Sequence, residues 1–163
     1  MSLAFEQVRQ ALYRYGRGAD RLDPDLIRSA FWPDAQVTLG TIYTGDTEGF
    51  VEVAIGFMGM FAATRHDIAN VVMVEEGDSI GYEAYVRAWH WHEDAKTELE
   101  VMGRYIGRAV QRDGEWRLME HGELMDWGAE RKVDDTWFKN NAELEKGERN
   151  RADGSYRWVA GLA

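Results

Sequence analysis

The change of hydrophobic period near residue 68 most constrains what this chain can fold into. From Ile68 onward the pattern has period two, the signature of strands with one buried face. Ile68 to Glu75 reads as one strand, closed by Glu76-Gly77-Asp78. Ile80 to His92 reads as a second, with Ile80, Tyr82, Ala84, Val86, Ala88, His90 and His92 on one face. A third strand spans about 98 to 111 and a fourth about 115 to 127, and Asp113-Gly114 between them is a strong hairpin signal. Leu99, Val101, Gly103, Tyr105, Gly107 and Ala109 share a face of the third strand. Gly103 and Gly107 either leave room around the Tyr105 phenol or mark bulges in a curved sheet. A two-residue turn pairs Tyr105 with Gly122, and a three-residue loop pairs it with His121.

Before that point the period is helical. Val8, Leu12, Tyr15 and Ala19, with Ala11, form an apolar stripe over residues 4 to 20, although Gly16 and Gly18 weaken its last turn. Asp23-Pro24 starts a short helix through Leu26, Ile27 and Phe31 that ends before Pro33. Short strands are expected at Val37–Leu39 and Thr41–Tyr43, around Gly40. Asp46 can cap a third helix through Phe50, Val51, Ala54, Phe57, Met58 and Phe61. Helices followed by a run of antiparallel strands give an α+β fold, with helices covering one face of a curved sheet. The 163 residues suffice for one domain, over 1–128. Residues 129–163 form a polar tail whose Trp137, Phe138, Tyr156 and Trp158 suggest docking, as a lid or against a dimer partner.

A formal net charge of −10 argues against nucleic-acid and anionic-membrane partners. With no cysteine, disulfides and thiolate metal sites are excluded. The N-terminus lacks the marks of a signal peptide, and no apolar run approaches the ~20 residues of a membrane span, so a soluble, cytoplasmic protein is expected.

The candidates for chemistry are few. Asp23 is accounted for as a helix cap before proline. Asp20 is not: it lies at a helix C-terminus, where a negative charge opposes the dipole, so a paired His or Arg is the natural reason for it. The alternative is a solvated acid in a frayed turn. His66, in Thr64-Arg-His-Asp-Ile-Ala-Asn70, precedes an apolar strand. A carboxylate that fixes one imidazole tautomer makes a general base. His90 and His92 have a metal-ligand spacing, but a two-residue match is a weak signal and no metal is expected. No nucleotide-binding loop or nucleophile elbow stands out.

Together, Tyr15-Gly-Arg-Gly-Ala-Asp20-Arg-Leu-Asp23, Phe31-Trp-Pro-Asp34-Ala, Thr64–Asn70, Gly103-Arg-Tyr105, Arg112-Asp-Gly-Glu-Trp116 and Met125-Asp-Trp127 resemble the SnoaL-like group of the nuclear transport factor 2-like superfamily. The dehydratases that act on scytalone and the hexachlorocyclohexane dehydrochlorinases are similar in pattern, over residues 5 to 128. The resemblance implies a cone-shaped α+β barrel, its curved, mostly antiparallel sheet wrapped around the N-terminal helices and an apolar pocket inside. It implies an Asp20–His66 catalytic pair, substrate contacts from Tyr15, Trp32, His90, Tyr105 and His121, and the register that sets Tyr105 beside His121. Leu39 and Ala19 depart from the scytalone pattern, as do Gly107 and His121 from that of many relatives, which points to a different substrate. The implied activity is a cofactor-independent dehydratase or other lyase acting on a small, apolar cyclic substrate. The alternatives are an isomerase or polyketide cyclase with the same dyad, and a non-catalytic ligand carrier or dioxygenase small subunit. A homo-dimer or homo-trimer is expected through the outer sheet face, where Tyr85, Arg87, Trp89 and Trp91 alternate.

Overall fold

The computed structural model describes residues 2–159. Helix α1 (Leu3–Arg21) packs Val8, Ala11, Leu12, Tyr15 and Ala19 into the core and closes on a left-handed Leu22. Asp23 then caps α2 (Pro24–Ala30), its carboxylate accepting from the Leu26 N–H at 3.1 Å. The second helix is shorter than expected. Phe31 already has extended backbone and opens strand β1 (Phe31–Leu39). Pro33 fits inside this strand because the pairing of β1 is interrupted between Phe31 and Gln36, so no ladder N–H is required there. The second short strand, β2 (Tyr43–Gly45), begins where the expected one ends, after a turn at Gly40 (φ +51°). Asp46 caps α3 (Thr47–Met58) through the Gly49 N–H at 3.0 Å.

Four long strands follow: β3 (Ala63–Glu76), β4 (Ser79–His92), β5 (Thr97–Arg112) and β6 (Glu115–Lys132). The six-stranded sheet has the order β2-β1-β6-β5-β4-β3, antiparallel except for the β1–β6 pair. It curves around the helices without closing. The even positions of β4 from Ile80 to His90 are buried, as the alternation requires. Short helices α4 (Thr136–Asn140) and α5 (Tyr156–Val159) lie in the tail. No described helix is long and apolar enough to cross a membrane.

The β5–β6 register matches neither expectation. Asp113 and Gly114 both have positive φ (51° and 84°), so the turn has two residues. A bulge at Met119 then adds one residue to β6, and Tyr105 faces Glu123 while Gly107 faces His121. His121 still shares the inner face with Tyr105. Gly107 belongs to this irregular stretch: a Cβ there would lie 2.0 Å from the Glu120 carbonyl and 2.6 Å from the Tyr82 hydroxyl. The space is therefore occupied by Tyr82, whose hydroxyl donates to Glu120 O at 3.1 Å and lies 2.8 Å from His121 Nδ1.

Candidate active site

Strand β3 starts at Ala63, so His66 lies within a strand and not ahead of it. Its partner in the ladder is Ala88, which places His66 with Thr64 and Ile68 on the inner face. The strand holds this alternation up to Asn70, whose φ of 47° marks the bulge that follows. Helix α1 reaches this part of β3 at Gly16: a Cβ there would meet Ile68 Cδ1 at 3.1 Å and His66 Cβ at 3.4 Å. The glycine that weakens the helix is what lets the strand approach.

One turn later, Asp20 meets His66. The Asp20 Oδ1 lies 2.7 Å from His66 Nδ1, Oδ2 accepts the His66 backbone N–H at 2.9 Å, and Oδ1 also accepts the Thr64 hydroxyl at 2.9 Å. The carboxylate thus holds both the ring and the strand that carries it. Burial pushes the Asp20 carboxyl up, but the hydrogen bonds from His66 and Thr64 outweigh it and leave the group below the ordinary carboxylate value. An ionised Asp20 fixes the proton on Nδ1, which leaves the lone pair of Nε2 for chemistry. The His66 side chain is 3% exposed.

Around the pair lie groups of different kinds. The His90 ring stands edge-on to His66 at 5.8 Å between centroids and packs on Phe61 at 4.8 Å. Its Nδ1 donates to Leu99 O at 3.2 Å, and its buried Nε2 has no hydrogen-bond partner among the described residues. Burial, with His66 nearby, pushes His90 down to about 4. Glu123, on the inner face opposite Tyr105, is pushed up by burial, while His66 pulls it the other way. A cavity of about 350 Å³ between α1 and β3 is lined by Tyr13, Gly16, Arg17, Asp20, Arg21, His66, Asp67 and Ile68.

The other expected contacts divide into two sets. Tyr15 packs against Phe31, Phe50, Tyr105 and His121, with ring centroids 5.2–5.6 Å apart. These rings fill the deep part of the cone with side chains where an open apolar pocket was expected. His121 is fully buried there and pushed down to about 3 by burial. Trp32 is not brought to the dyad. It donates to Val110 O at 3.0 Å and lies between the guanidinium groups of Arg112 and Arg117. His66 lies across the sheet from Val101 and Trp32 beside Val110, so the two occupy opposite ends of β5. His92 points toward the surface, where its Nδ1 accepts the Ala95 N–H at 3.3 Å. No group of three or more His, Asp or Glu side chains that could hold a metal ion occurs among the described residues.

Sequence reasoning missed Thr64, Glu123 and Arg149. Period two would have found the first, since Thr64 and His66 share a face. Glu123 shares one with His121. The third comes from the tail. Arg149 Nε donates to Asp20 O (3.1 Å), Nη1 to Met58 O (2.7 Å) and Phe61 O (2.5 Å), and Nη2 to Ala19 O (3.3 Å) and Thr64 Oγ1 (3.1 Å). Nothing in the local sequence distinguishes it from its charged neighbours. Trp137, Phe138 and Trp158 stay exposed, so the tail docks mainly through arginines and Tyr156.

Solved structures share this architecture. A type 2 hexachlorocyclohexane dehydrochlorinase is 18% identical, with a TM-score of 0.72, over 79% of this chain and 89% of that one. A protein named as a scytalone dehydratase from Novosphingobium aromaticivorans is 16% identical, with a TM-score of 0.71, over 80% and 89%. The Kfla4162 protein of Kribbella flavida is 22% identical, with a TM-score of 0.70, over 76% and 91%. Identities this low establish a shared fold. No curated protein sequence matches. The model of the SnoaL-like domain matches residues 2–122, from the first helix to the strand that carries His121, and the chain therefore belongs to the SnoaL-like family.

Proposed function

We propose that the protein is a cofactor-independent lyase, a dehydratase in which His66 is the general base and Asp20 its orienting carboxylate. The observation that carries the reading is the double grip of Asp20 on His66: the ring at 2.7 Å and the backbone at 2.9 Å. This grip sets both the orientation and the tautomer of the ring, as a general base requires. The fold relatives named for dehydration and dehydrochlorination support the same reaction class by analogy.

In this reading His66 Nε2 takes a proton from a carbon acidified by a neighbouring carbonyl. The C–H electron pair becomes the new double bond, the C–O bond at the adjacent carbon breaks, and the hydroxide leaves as water after taking a proton. Glu123, biased by burial toward its protonated form, supplies that proton. Asp20 stabilises the imidazolium formed on His66. A positioned base of this kind contributes roughly 10²–10⁴-fold to the rate. The cavity of about 350 Å³ suits a small cyclic molecule. Tyr15, His90, Tyr105 and His121 do not line this cavity, and contact of substrate with them requires the packed rings to move. Assembly through the outer sheet face is part of the same proposal.

The test is a panel of small cyclic β-hydroxy carbonyl compounds, with products weighed by mass spectrometry. Loss of one water that disappears in His66→Gln supports the dehydratase. Conversion without change of mass would establish an isomerase instead. Turnover that survives His66→Gln would refute the assignment of the base.

A further inference from the structure

We infer that Arg149 is a positioning residue of the Asp20–His66 pair, which makes the C-terminal tail a structural part of the site. The inference rests on the site proposed above, but the geometry behind it involves no substrate.

The guanidinium occupies the point where three elements end or begin. Ala19 O and Asp20 O belong to the last turn of α1, and Met58 O and Phe61 O to the end of α3 and the segment after it. Carbonyls at a helix C-terminus lack intrahelical partners and carry the negative end of the dipole. Only a planar fork of N–H donors can meet so many acceptors at once; an ammonium cannot. The remaining bond, to Thr64 Oγ1, leads to the dyad. Thr64 accepts from Arg149 and donates its own proton to Asp20 Oδ1, the oxygen that faces His66 Nδ1. Arg149 therefore fixes Asp20 in two ways: through its backbone carbonyl and, by way of Thr64, through its carboxylate.

The arginine lies beyond the residues 2–122 matched by the family. The same tail is anchored independently by Arg151, on Asp23 at 3.2 Å and Asp25 at 3.1 Å, and by the Tyr156 hydroxyl on Asp23 at 2.9 Å. These contacts dock the tail without touching the dyad, and so provide the control.

The experiment is proton NMR of the full-length protein, observing the downfield Nδ1–H of His66 that lies between ring and carboxylate, assigned by its absence in His66→Gln. In Arg149→Ala the resonance is expected to shift or to vanish by exchange with water, while Arg151→Ala leaves it in place although both variants lose thermal stability. An unmoved resonance in Arg149→Ala, or an equal change in Arg151→Ala, would overturn the inference. Should Arg149→Ala not fold, Arg149→Lys serves: it keeps the charge without the fork, so the signal must still move. Because the ring proton is the readout, a wild-type protein without dehydratase activity would refute the functional reading and leave this one standing.

Discussion

The two ends of the curved sheet both hold a histidine on its inner face, and they treat it in opposite ways. His66 is gripped by a carboxylate that also holds its backbone, next to a cavity lined by charged side chains. His121 sits among Tyr15, Phe31, Phe50 and Tyr105 with the Tyr82 phenol as its hydrogen-bond partner, and no carboxylate among the described residues holds it. An imidazole with an ionised partner can gain a proton during a reaction, because the charge it acquires is already balanced. An imidazole in a dry aromatic cluster is held neutral. On the function proposed above, the difference separates a base from a packing element.

The largest effect tests this separation directly. His66→Ala should lower turnover by roughly 10²–10⁴-fold in protein that still folds, at a moderate cost in melting temperature, because Asp20 keeps its bonds from the His66 N–H and the Thr64 hydroxyl. His121→Ala should do the reverse, losing stability in calorimetry while residual turnover survives in the folded fraction. If both variants lost activity equally at full stability, the aromatic end would be part of the chemistry and the comparison would fail.

Next in size is the packing of that end. Phe31 and Phe50 are fully buried and in mutual contact, with centroids 5.4 Å apart. Truncating either to Ala should cost about 3–5 kcal/mol in urea unfolding, the range for a large aromatic removed from a core. A cost below about 1 kcal/mol would mean that the cluster is loosely packed and opens readily.

Acid separates His121 from Asp20 by pH. His121 is held near 3 in the folded protein against about 6.5 when exposed. The unfolded chain therefore binds the extra proton, and the stability His121 contributes is present above about pH 6.5 and is lost as pH falls from there toward 3. The slope is about 1.4 kcal/mol per pH unit for one histidine. Asp20 acts in a lower window: its folded value lies below 3.8, so its contribution is present above that pH and is lost as pH falls through the folded value. In urea titrations at successive pH values, His121→Asn should reduce the slope between pH 6 and 4 without removing it, because His90, pushed down to about 4, contributes there too. Asp20→Asn should change only the most acidic part. A slope unchanged in His121→Asn would assign the whole of that window to other groups, His90 first among them.

Several features of this arrangement are legible in the sequence. The face of β4 follows from strict alternation, the caps of α2 and α3 from Asp23 and Asp46, and a side-chain partner for Asp20 from its place at a helix end. The register of β6 is not legible, because the bulge at Met119 is marked by neither Gly nor Pro and one inserted residue exchanges the faces. Nor is the start of β3, where Thr64 and His66 look like loop residues until Ala62 N–H is seen to continue the pairing to Trp91 O at 2.8 Å. Arg149 is the least legible. A charged residue in a polar tail reads as solvated, and the carbonyls and the Thr64 hydroxyl that hold it come together only when α1, α3 and β3 have already been assembled.

The smallest effect concerns the residue that sequence and structure place differently. Trp32 lies between Arg112 and Arg117, with the guanidinium carbons 5.0 and 4.9 Å from its ring. Arg112 also pairs with Asp34 through two contacts at 2.7 and 3.0 Å, and both partners are about half exposed. Exposed pairs of this kind contribute at most about 1 kcal/mol, and a solvated cation over the half-buried Trp32 ring adds a similar amount. Arg112→Ala should therefore lower stability by about 1 kcal/mol or less, less so at high salt, where ionic pairs are screened. Trp32→Phe should leave KM and kcat unchanged, because the indole touches neither the dyad nor the cavity beside it. A clear rise in KM would instead show that substrate reaches past the packed rings to the far end of the sheet. The aromatic cluster would then be a closed state that opens on binding, and the distinction between the two ends would hold only for the empty protein.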